Sequence, residues 1–181
     1  GISAQAQSLR MPTEEEVKRI EEGKLDGVQR NTLETVDNVS WLSSWSKLIH
    51  LAEMEDIYTS GNYLFVLVSD LPFEKLDAKT KKEMFDPKNK EKVRSFLKEY
   101  ICKADASRHL SLIAKNPVTN LNGESLKVNY KVAGIDPKGR LRLNQNEPNI
   151  SGIRSKVYGA SANGFTLRVN DFLPGSLDIF K

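Results

Sequence analysis

The spacing of apolar residues predicts helices in the first part of the chain. Five apolar residues recur at the spacing of one helical face from a start near Ser40, which indicates a helix with a core face: Trp41, Trp45, Leu48, Ile49 and Ala52. The two tryptophans could instead stack on a sugar or a base. Residues 88–102 show the same spacing and predict a second amphipathic helix, carrying Val93, Phe96, Leu97, Tyr100 and Ile101.

Residues 1–39 are polar and are predicted to form a peripheral N-terminal extension with one short helix. Thr13 and Glu16 have the spacing of a capping box, in which the hydroxyl and the carboxylate satisfy amides at the start of the helix. Gly23 is expected to end this helix, and only Val17 and Ile20 give it an apolar edge. We therefore expect it to lie on the surface.

A run of six apolar residues over positions 63–68 predicts a strand that is buried on both faces. Pro72 follows shortly after it and permits a helical turn that carries Phe73 and Leu76. Asp70 stands where it can cap that turn. This structural role competes with a role in partner binding.

Alternation and turn signals predict strands in the second part of the chain. Asn122-Gly123 is typical of a type I′ hairpin turn, and Asn163-Gly164 turns into another strand. Alternating apolar residues follow these turns: Leu126, Val128, Tyr130 and Val132, then Leu141 and Leu143, then Phe165, Leu167 and Val169, with Thr166, Arg168 and Asn170 on the outer face. This order indicates an α+β fold with a mainly antiparallel sheet flanked by helices. Its predicted core contains Phe65, Val66, Phe96, Leu97, Leu126, Val128, Leu167 and Leu173.

Composition adds limits to this picture. The 181 residues are 39% hydrophobic and 28% charged, which suits one globular domain. The 27 basic and 24 acidic residues leave a formal charge of +3, too balanced to suggest a nucleic acid as partner. No apolar stretch reaches the roughly 18 residues of a transmembrane helix. The single cysteine, Cys102, forms no intramolecular disulfide and is expected to be a buried, inert thiol.

Four segments, in order, resemble the fasciclin (FAS1) domain. Residues 63–76 are similar to its buried strand with the following Asp and Phe, and residues 93–100 to its helix ending in a tyrosine. Residues 119–128 are similar to its asparagine-glycine hairpin, and residues 163–174 to its closing strand. The resemblance covers about residues 40–178, so we expect residues 40–181 to form a single fasciclin-like domain. Its implied fold is an α+β wedge.

Three departures mark a divergent member, which we expect to be bacterial. Val68 stands where the family has proline, Ile101 replaces a histidine that follows Tyr100, and the insert between Leu143 and Asn163 is longer than usual. The resemblance implies a non-enzymatic extracytoplasmic module, secreted, periplasmic or on the cell surface. It implies adhesion or surface assembly through protein or glycan contacts, and we expect the chain to be one module of a larger protein.

Catalytic patterns are weak in this sequence. The two histidines, His50 and His109, lack the spacing of a zinc site, and neither a phosphate-binding glycine loop nor a nucleophile elbow occurs. A hydrogen-bonded structural imidazole is the favoured interpretation of His50. We therefore expect no enzyme activity, no cofactor and no metal.

Basic residues give the alternative function. Arg140 and Arg142 alternate with Leu141 and Leu143, which predicts that both guanidinium groups leave the outer face of a strand. Such a face suits an anionic polysaccharide, although a solvated surface is the simpler interpretation. The candidate partner-binding residues are Asp70, Tyr100, Arg140 and Arg142.

Overall fold

Helices occupy the first half of the chain and strands the second, as the pattern predicts. The computed structural model describes residues 10–21, 30–103, 117–129, 132–137, 141–143 and 149–181. The α-helices are α1 (Glu14–Glu21), α2 (Thr32–Asn38), α3 (Ser43–Leu51), α4 (Glu55–Thr59), α5 (Asp70–Glu74), α6 (Ala78–Met84) and α7 (Lys90–Lys98). Short 3₁₀ turns cover Ser40–Leu42, Pro87–Asn89 and Ser176–Phe180.

The strands are β1 (Tyr63–Val68), β2 (Ile101–Lys103), β3 (Val118–Thr119), β4 (Ser125–Leu126), β5 (Val128–Asn129), β6 (Val132–Ile135), β7 (Leu141–Leu143), β8 (Asn149–Ile150), β9 (Ile153–Ser161) and β10 (Gly164–Val169). The largest described sheet has the order β2-β1-β10-β9-β8-β5. Strands β1 and β10 are parallel, and the other neighbours in this sheet are antiparallel. The predicted α+β fold with a mainly antiparallel sheet is confirmed.

The predicted capping box at the start of α1 is confirmed. The amide of Glu16 donates to Thr13 Oγ1 at 3.2 Å, and the amide of Thr13 donates to Glu16 Oε1 at 3.1 Å. Arg10 also pairs with the carboxylate of Glu16, and its backbone bridges to Ile135 of β6. These contacts attach the described part of the extension to the sheet region.

Helix α2 packs into the same core as the domain that follows it. Its residue Val36 is buried, and Asn31 forms a capping box with Glu34 at its start. The boundary between residues 39 and 40 stays a prediction, but α2 contacts both α3 and α4. Any division of the chain must therefore keep this helix on the module.

Strand β1 is the buried centre of the sheet. Every residue from Leu64 to Val68 is fully buried, which confirms the predicted strand. Gly164 lies opposite Tyr63 in the parallel pair, and a Cβ at position 164 would overlap the Tyr63 carbonyl oxygen and lie 2.8 Å from the Phe65 ring. The close approach of β1 and β10 therefore requires glycine at the Asn163-Gly164 turn.

An aromatic cluster fills the space between the helices and the sheet. Ring centroids of Trp45 lie 4.9 Å from Tyr100 and 5.8 Å from Phe96, and Phe96 lies 5.4 Å from Phe180. Seven of the eight predicted core residues are buried, and Leu126 is half-buried. Cys102 is buried as predicted, and burial raises the pKa of its thiol to about 12.

Several predicted elements are wrong in detail. Helix α7 ends at Lys98 rather than continuing to residue 102. Ile101 lies instead in β2, where it pairs with Phe65 of β1. Ile101 is fully buried, a position that favours an apolar side chain over a histidine. The predicted continuous strand over residues 126–132 is divided among β4, β5 and β6. Thr166, predicted to lie outside, is buried because β10 is covered on both faces.

The Asn122-Gly123 hairpin forms, but it is not a type I′ turn. Only Gly123 has a positive φ, at 82°, whereas type I′ needs two such residues. The amide of Gly123 donates to the carbonyl of Asn120, and the Asn120 side chain accepts from the amides of Asn122 and Glu124. The side chain of Asn120 therefore selects a longer loop. Tyr130 and the side chains of Leu141 and Leu143 lie outside the described residues.

None of the helices in the described part of the chain combines the length and the apolar character needed to span a bilayer.

Candidate functional site

Asp70 caps a helix other than the one predicted. It is the first residue of α5, whose N-cap is Ser69. The Asp70 carboxylate accepts from Ser43 Oγ at 2.7 Å and from the Ser44 amide at 2.8 Å, so it caps α3, which begins 27 residues earlier. A carboxylate at this position satisfies an amide without an intrahelical partner and complements the helix dipole. Asp70 thus fixes the position of α3 relative to the end of β1.

Tyr100 is buried, and its hydroxyl makes two hydrogen bonds. The hydroxyl lies 2.7 Å from Ser176 Oγ and accepts from the Leu173 amide at 2.8 Å. Its ring packs against Trp45 and Phe96. Tyr100 holds the C-terminal segment against the core, so any effect of this residue on a partner would pass through that segment.

Trp41 is on the surface, contrary to the prediction that it belongs to the core face. It lies in the 3₁₀ turn Ser40–Leu42 and is 39% exposed, whereas Leu42 is fully buried. A 3₁₀ turn has about 3.0 residues per turn rather than 3.6, so the face it presents is rotated from that of α3. Spacing counted for an α-helix therefore assigns Trp41 to the wrong side.

Arg168 covers one face of the Trp41 indole. Its guanidinium carbon lies 5.0 Å from the ring centroid, a cation–π arrangement. Arg168 was predicted to point outward, but it is half-buried, and burial lowers the pKa of its guanidinium. Among the described residues its buried Nε has no hydrogen-bond partner, and no carboxylate forms an ion pair with it. Its neighbours on the adjacent strands are Leu67 and Val157.

Trp41 also borders a cleft of about 460 Å³ where the parallel strands β1 and β10 end. The cleft is lined by Ser40, Trp41, Ser69, Asp70, Leu71, Glu74 and Asn170. Leu71 is 49% exposed, and Val157, beside Arg168, is 42% exposed. We call Trp41, Leu71, Val157 and Arg168 together the tryptophan surface. It combines a cation with three exposed apolar side chains.

A second concave region, the basic groove, lies on β9 and β7. It measures about 520 Å³ and is lined by Arg142, Arg154, Ser155, Lys156, Val157 and Tyr158. Arg142 donates to Asp136 at 2.9 Å, and Asp136 is only 7% exposed, so this arginine also compensates a buried carboxylate. The structure thus brings Arg142 together with Arg154 and Lys156. Arg140 lies outside the described residues.

His50 lies between two carboxylates on the surface. Its Nε2 is 3.1 Å from Asp37 Oδ1, and its Nδ1 is 3.6 Å from Glu55 Oε1. Within the described ranges, no three His, Cys, Asp or Glu side chains are arranged to hold a metal ion. His109 lies outside those ranges.

The two surfaces are suited to non-covalent recognition. Guanidinium and ammonium groups bind carboxylate, sulfate and phosphate through charge-assisted hydrogen bonds, while indole and aliphatic groups bury apolar atoms. The local sequence pattern reveals neither the Trp41–Arg168 contact nor the grouping of Arg154 and Lys156 with Arg142. The available signal was the position of Trp41 just before the helix start, where its side chain need not follow the helical face.

Comparison with solved structures identifies a related fold. The chain is similar to the FAS1 domain pair of the insect cell adhesion molecule Fasciclin I, with a TM-score of 0.56 and 13% sequence identity. The similarity covers 84% of this chain and 53% of that structure, so the chain spans about half its length. No model of a known protein family and no curated protein matches the sequence. The chain therefore has a fasciclin-like α+β fold on a strongly divergent sequence.

Proposed function

We propose that this chain is a non-enzymatic, extracytoplasmic module of the fasciclin type that mediates cell adhesion or surface assembly through protein or glycan contacts. The observation that supports it is the fold shared with a domain pair of an insect cell adhesion molecule. Because the chain spans about half of that pair, it is proposed to act as one module of a larger protein. Residues 40–181 form the module in this proposal, with α2 of the extension packed on it.

Two regions of the described surface support a role in binding protein or glycan partners. The tryptophan surface presents exposed apolar groups around a cation, and the basic groove presents three cationic side chains. Each surface has buried neighbours that hold it in position. Leu42 follows Trp41, Leu167 and Val169 flank Arg168, and Ser155 lies between Arg154 and Lys156. Such preorganised surfaces lose little conformational entropy on binding.

A second candidate function is the binding of an anionic polysaccharide through the basic groove. The observation in its favour is that Arg142, Arg154 and Lys156, which come from two strands, line one groove together with Tyr158. Sulfate and carboxylate groups along a glycan can meet several of these cations at once. This binding should weaken steeply with salt, because each neutralised anionic group releases counterions.

The test applies the folded chain to an array of purified cell-surface proteins and glycans, with heparin chromatography over a salt series. Binding to a surface protein that survives moderate salt supports the protein-adhesion proposal. Late elution from heparin with a steep loss of affinity in salt supports the polysaccharide proposal. The proposal is wrong if the folded chain binds neither class, or if it turns over a substrate under the same conditions.

A further inference from the structure

We propose that the tryptophan surface binds a protein segment that carries a carboxylate beside an apolar side chain. This inference rests on the proposed adhesion function and gives the chemistry of its protein partner. The carboxylate would pair with Arg168, and the apolar side chain would pack among Trp41, Leu71 and Val157.

The first argument is the uncompensated charge of Arg168. A cation removed from water is costly unless a carboxylate and hydrogen bonds replace its hydration. Arg168 is half-buried between strands β1 and β9, yet in the described part of the chain only the indole face of Trp41 stabilises its charge. A cation–π contact replaces only part of the hydration that the guanidinium loses. A partner carboxylate can complete it through a charge-assisted hydrogen bond.

The second argument is orientation. Trp41 holds the guanidinium plane near its ring, and Asp70 fixes the start of the helix that follows Trp41. Arginine binds carboxylates with a planar fork of donors, and a guanidinium already held in place loses less freedom on pairing. A partner carboxylate therefore meets a guanidinium that the indole already restrains.

The third argument is the grouping of exposed apolar residues. Single apolar side chains on a surface need no explanation. Trp41, Leu71 and Val157 differ because they are grouped around one site: Trp41 contacts Arg168, Val157 of β9 is paired with Arg168 of β10, and Leu71 lines the cleft with Trp41. An apolar side chain next to the partner's carboxylate would cover this group.

The charges of the cleft favour a protein segment over an acidic glycan. Asp70 and Glu74 line the cleft, and their negative charges would repel a chain with repeated anionic groups more than a segment with a single carboxylate. One face of the Trp41 ring is already covered by Arg168, which reduces the area for stacking on a sugar. Leu71 and Val157 offer aliphatic contact, which suits leucine-like side chains better than sugar hydroxyls.

The experiment uses the full chain, labelled with ¹⁵N, and two end-blocked peptides. One peptide has a glutamate between leucines, and its twin has glutamine instead. The chain contains two tryptophans, and the fully buried Trp45 gives an internal control signal. We expect the glutamate peptide to shift the Trp41 indole and Arg168 Nε–H signals saturably, to leave the Trp45 signal in place, and to bind at least about tenfold tighter than its twin.

Two variants locate the effect. Arg168→Met should abolish the preference for the glutamate peptide while keeping an apolar stem beside Trp41. Leu71→Ser, at an exposed position, should weaken both peptides while keeping the preference, and it remains informative if Arg168→Met fails to fold.

Equal binding of the two peptides, no saturable shift, or a saturable shift only with a glucuronate-bearing disaccharide would overturn the inference. If the folded chain still binds a surface protein or heparin in the preceding test while the peptides fail here, only this inference is wrong and the proposed function stands.

Discussion

Asn163, in the turn between β9 and β10, is hydrogen-bonded to Thr32 at the start of α2. Its Oδ1 accepts from the amide of Thr32 at 2.8 Å and from Thr32 Oγ1 at 3.0 Å, across 131 positions. Its Nδ2 donates to the carbonyl oxygens of Tyr58 and Ser60. One buried amide therefore connects α2, the end of α4 and the β9–β10 turn.

Asn163→Ala should destabilise the fold by about 2–4 kcal/mol, because it leaves buried polar groups of three segments without a partner. The measurement is the free energy of unfolding from urea denaturation. The matched control is Asn38→Ala on the exposed side of α2, where a change within about 0.5 kcal/mol is expected. If both variants lose the same small amount, Asn163 does not hold these segments together.

Tyr100→Phe and Tyr58→Phe should differ although both tyrosines are fully buried. The Tyr100 hydroxyl bonds to Ser176 and Leu173, so its removal should cost about 1–3 kcal/mol. Among the described residues the Tyr58 hydroxyl makes no hydrogen bond of normal geometry, only a weak interaction with the Trp45 indole, so its removal should cost less than about 0.5 kcal/mol or stabilise the fold. Thermal and urea unfolding of both variants test this, and equal losses would contradict it.

Phe96→Ala should reduce the free energy of unfolding by about 3–5 kcal/mol. The ring is fully buried, with its centroid 5.0 Å from Tyr100 and 5.4 Å from Phe180, so truncation leaves a cavity between α7 and the C-terminal segment. Ser95→Ala on the exposed side of the same helix serves as the control. A loss under about 1 kcal/mol for Phe96→Ala would show that the cavity collapses or that the packing is different.

Glu99 should make stability fall as pH rises through neutrality. Burial, with the nearby charges of Glu124 and Asp178, raises the pKa of Glu99 to about 7, whereas an unfolded glutamate titrates near about 4.3. Below the pKa of the unfolded state, Glu99 is protonated in both states and its full contribution to stability is present. As pH rises, the unfolded state ionises first, and the contribution is lost by the time pH has risen through the folded-state pKa of about 7.

Glu99→Gln should consequently be more stable than the unsubstituted chain at pH 8 and similar to it at pH 5. The measurement is the difference between the two urea-unfolding profiles at each pH, which cancels the contribution of other titrating groups. Parallel profiles at both pH values would assign the pH dependence elsewhere.

The parts of the fold that sequence could predict are those in which burial leaves a local pattern. Six apolar residues in a row predicted β1, and the spacing of Trp45, Leu48 and Ile49 predicted the buried face of α3. The capping box at Thr13 was also predictable, because its two partners lie three residues apart. In each case the information needed lies within a few residues.

The candidate site depended on contacts between distant segments, which no local pattern contains. Asp70 looked able to cap its own turn, but its carboxylate accepts hydrogen bonds from Ser43 and Ser44, which lie 27 and 26 residues earlier. Arg168 alternated like an outward residue, yet Trp41 covers it because a 3₁₀ turn brings the indole over the sheet. Sequence pattern gives the face of an element but not the element that covers it.

Lys156→Glu provides the cleanest test of the basic groove. Arg142 is less suitable, because a glutamate there would face the carboxylate of Asp136 and perturb folding. Lys156 is exposed, so reversing its charge should change stability by less than about 1 kcal/mol and leave the thermal midpoint nearly unchanged. If the groove binds polyanions, this variant should elute from heparin at lower salt, with a shallower dependence of affinity on salt.

The matched control is Lys92→Glu, which makes the same change in net charge at an exposed position of α7, outside the groove. A polyanion that binds in the groove should distinguish the two variants, because Lys156 lines the groove beside Arg142 and Arg154 and Lys92 does not. Equal retention of both would mean that heparin responds to net charge alone. That outcome would remove the basic groove as a binding site and leave the tryptophan surface as the candidate for partner contact.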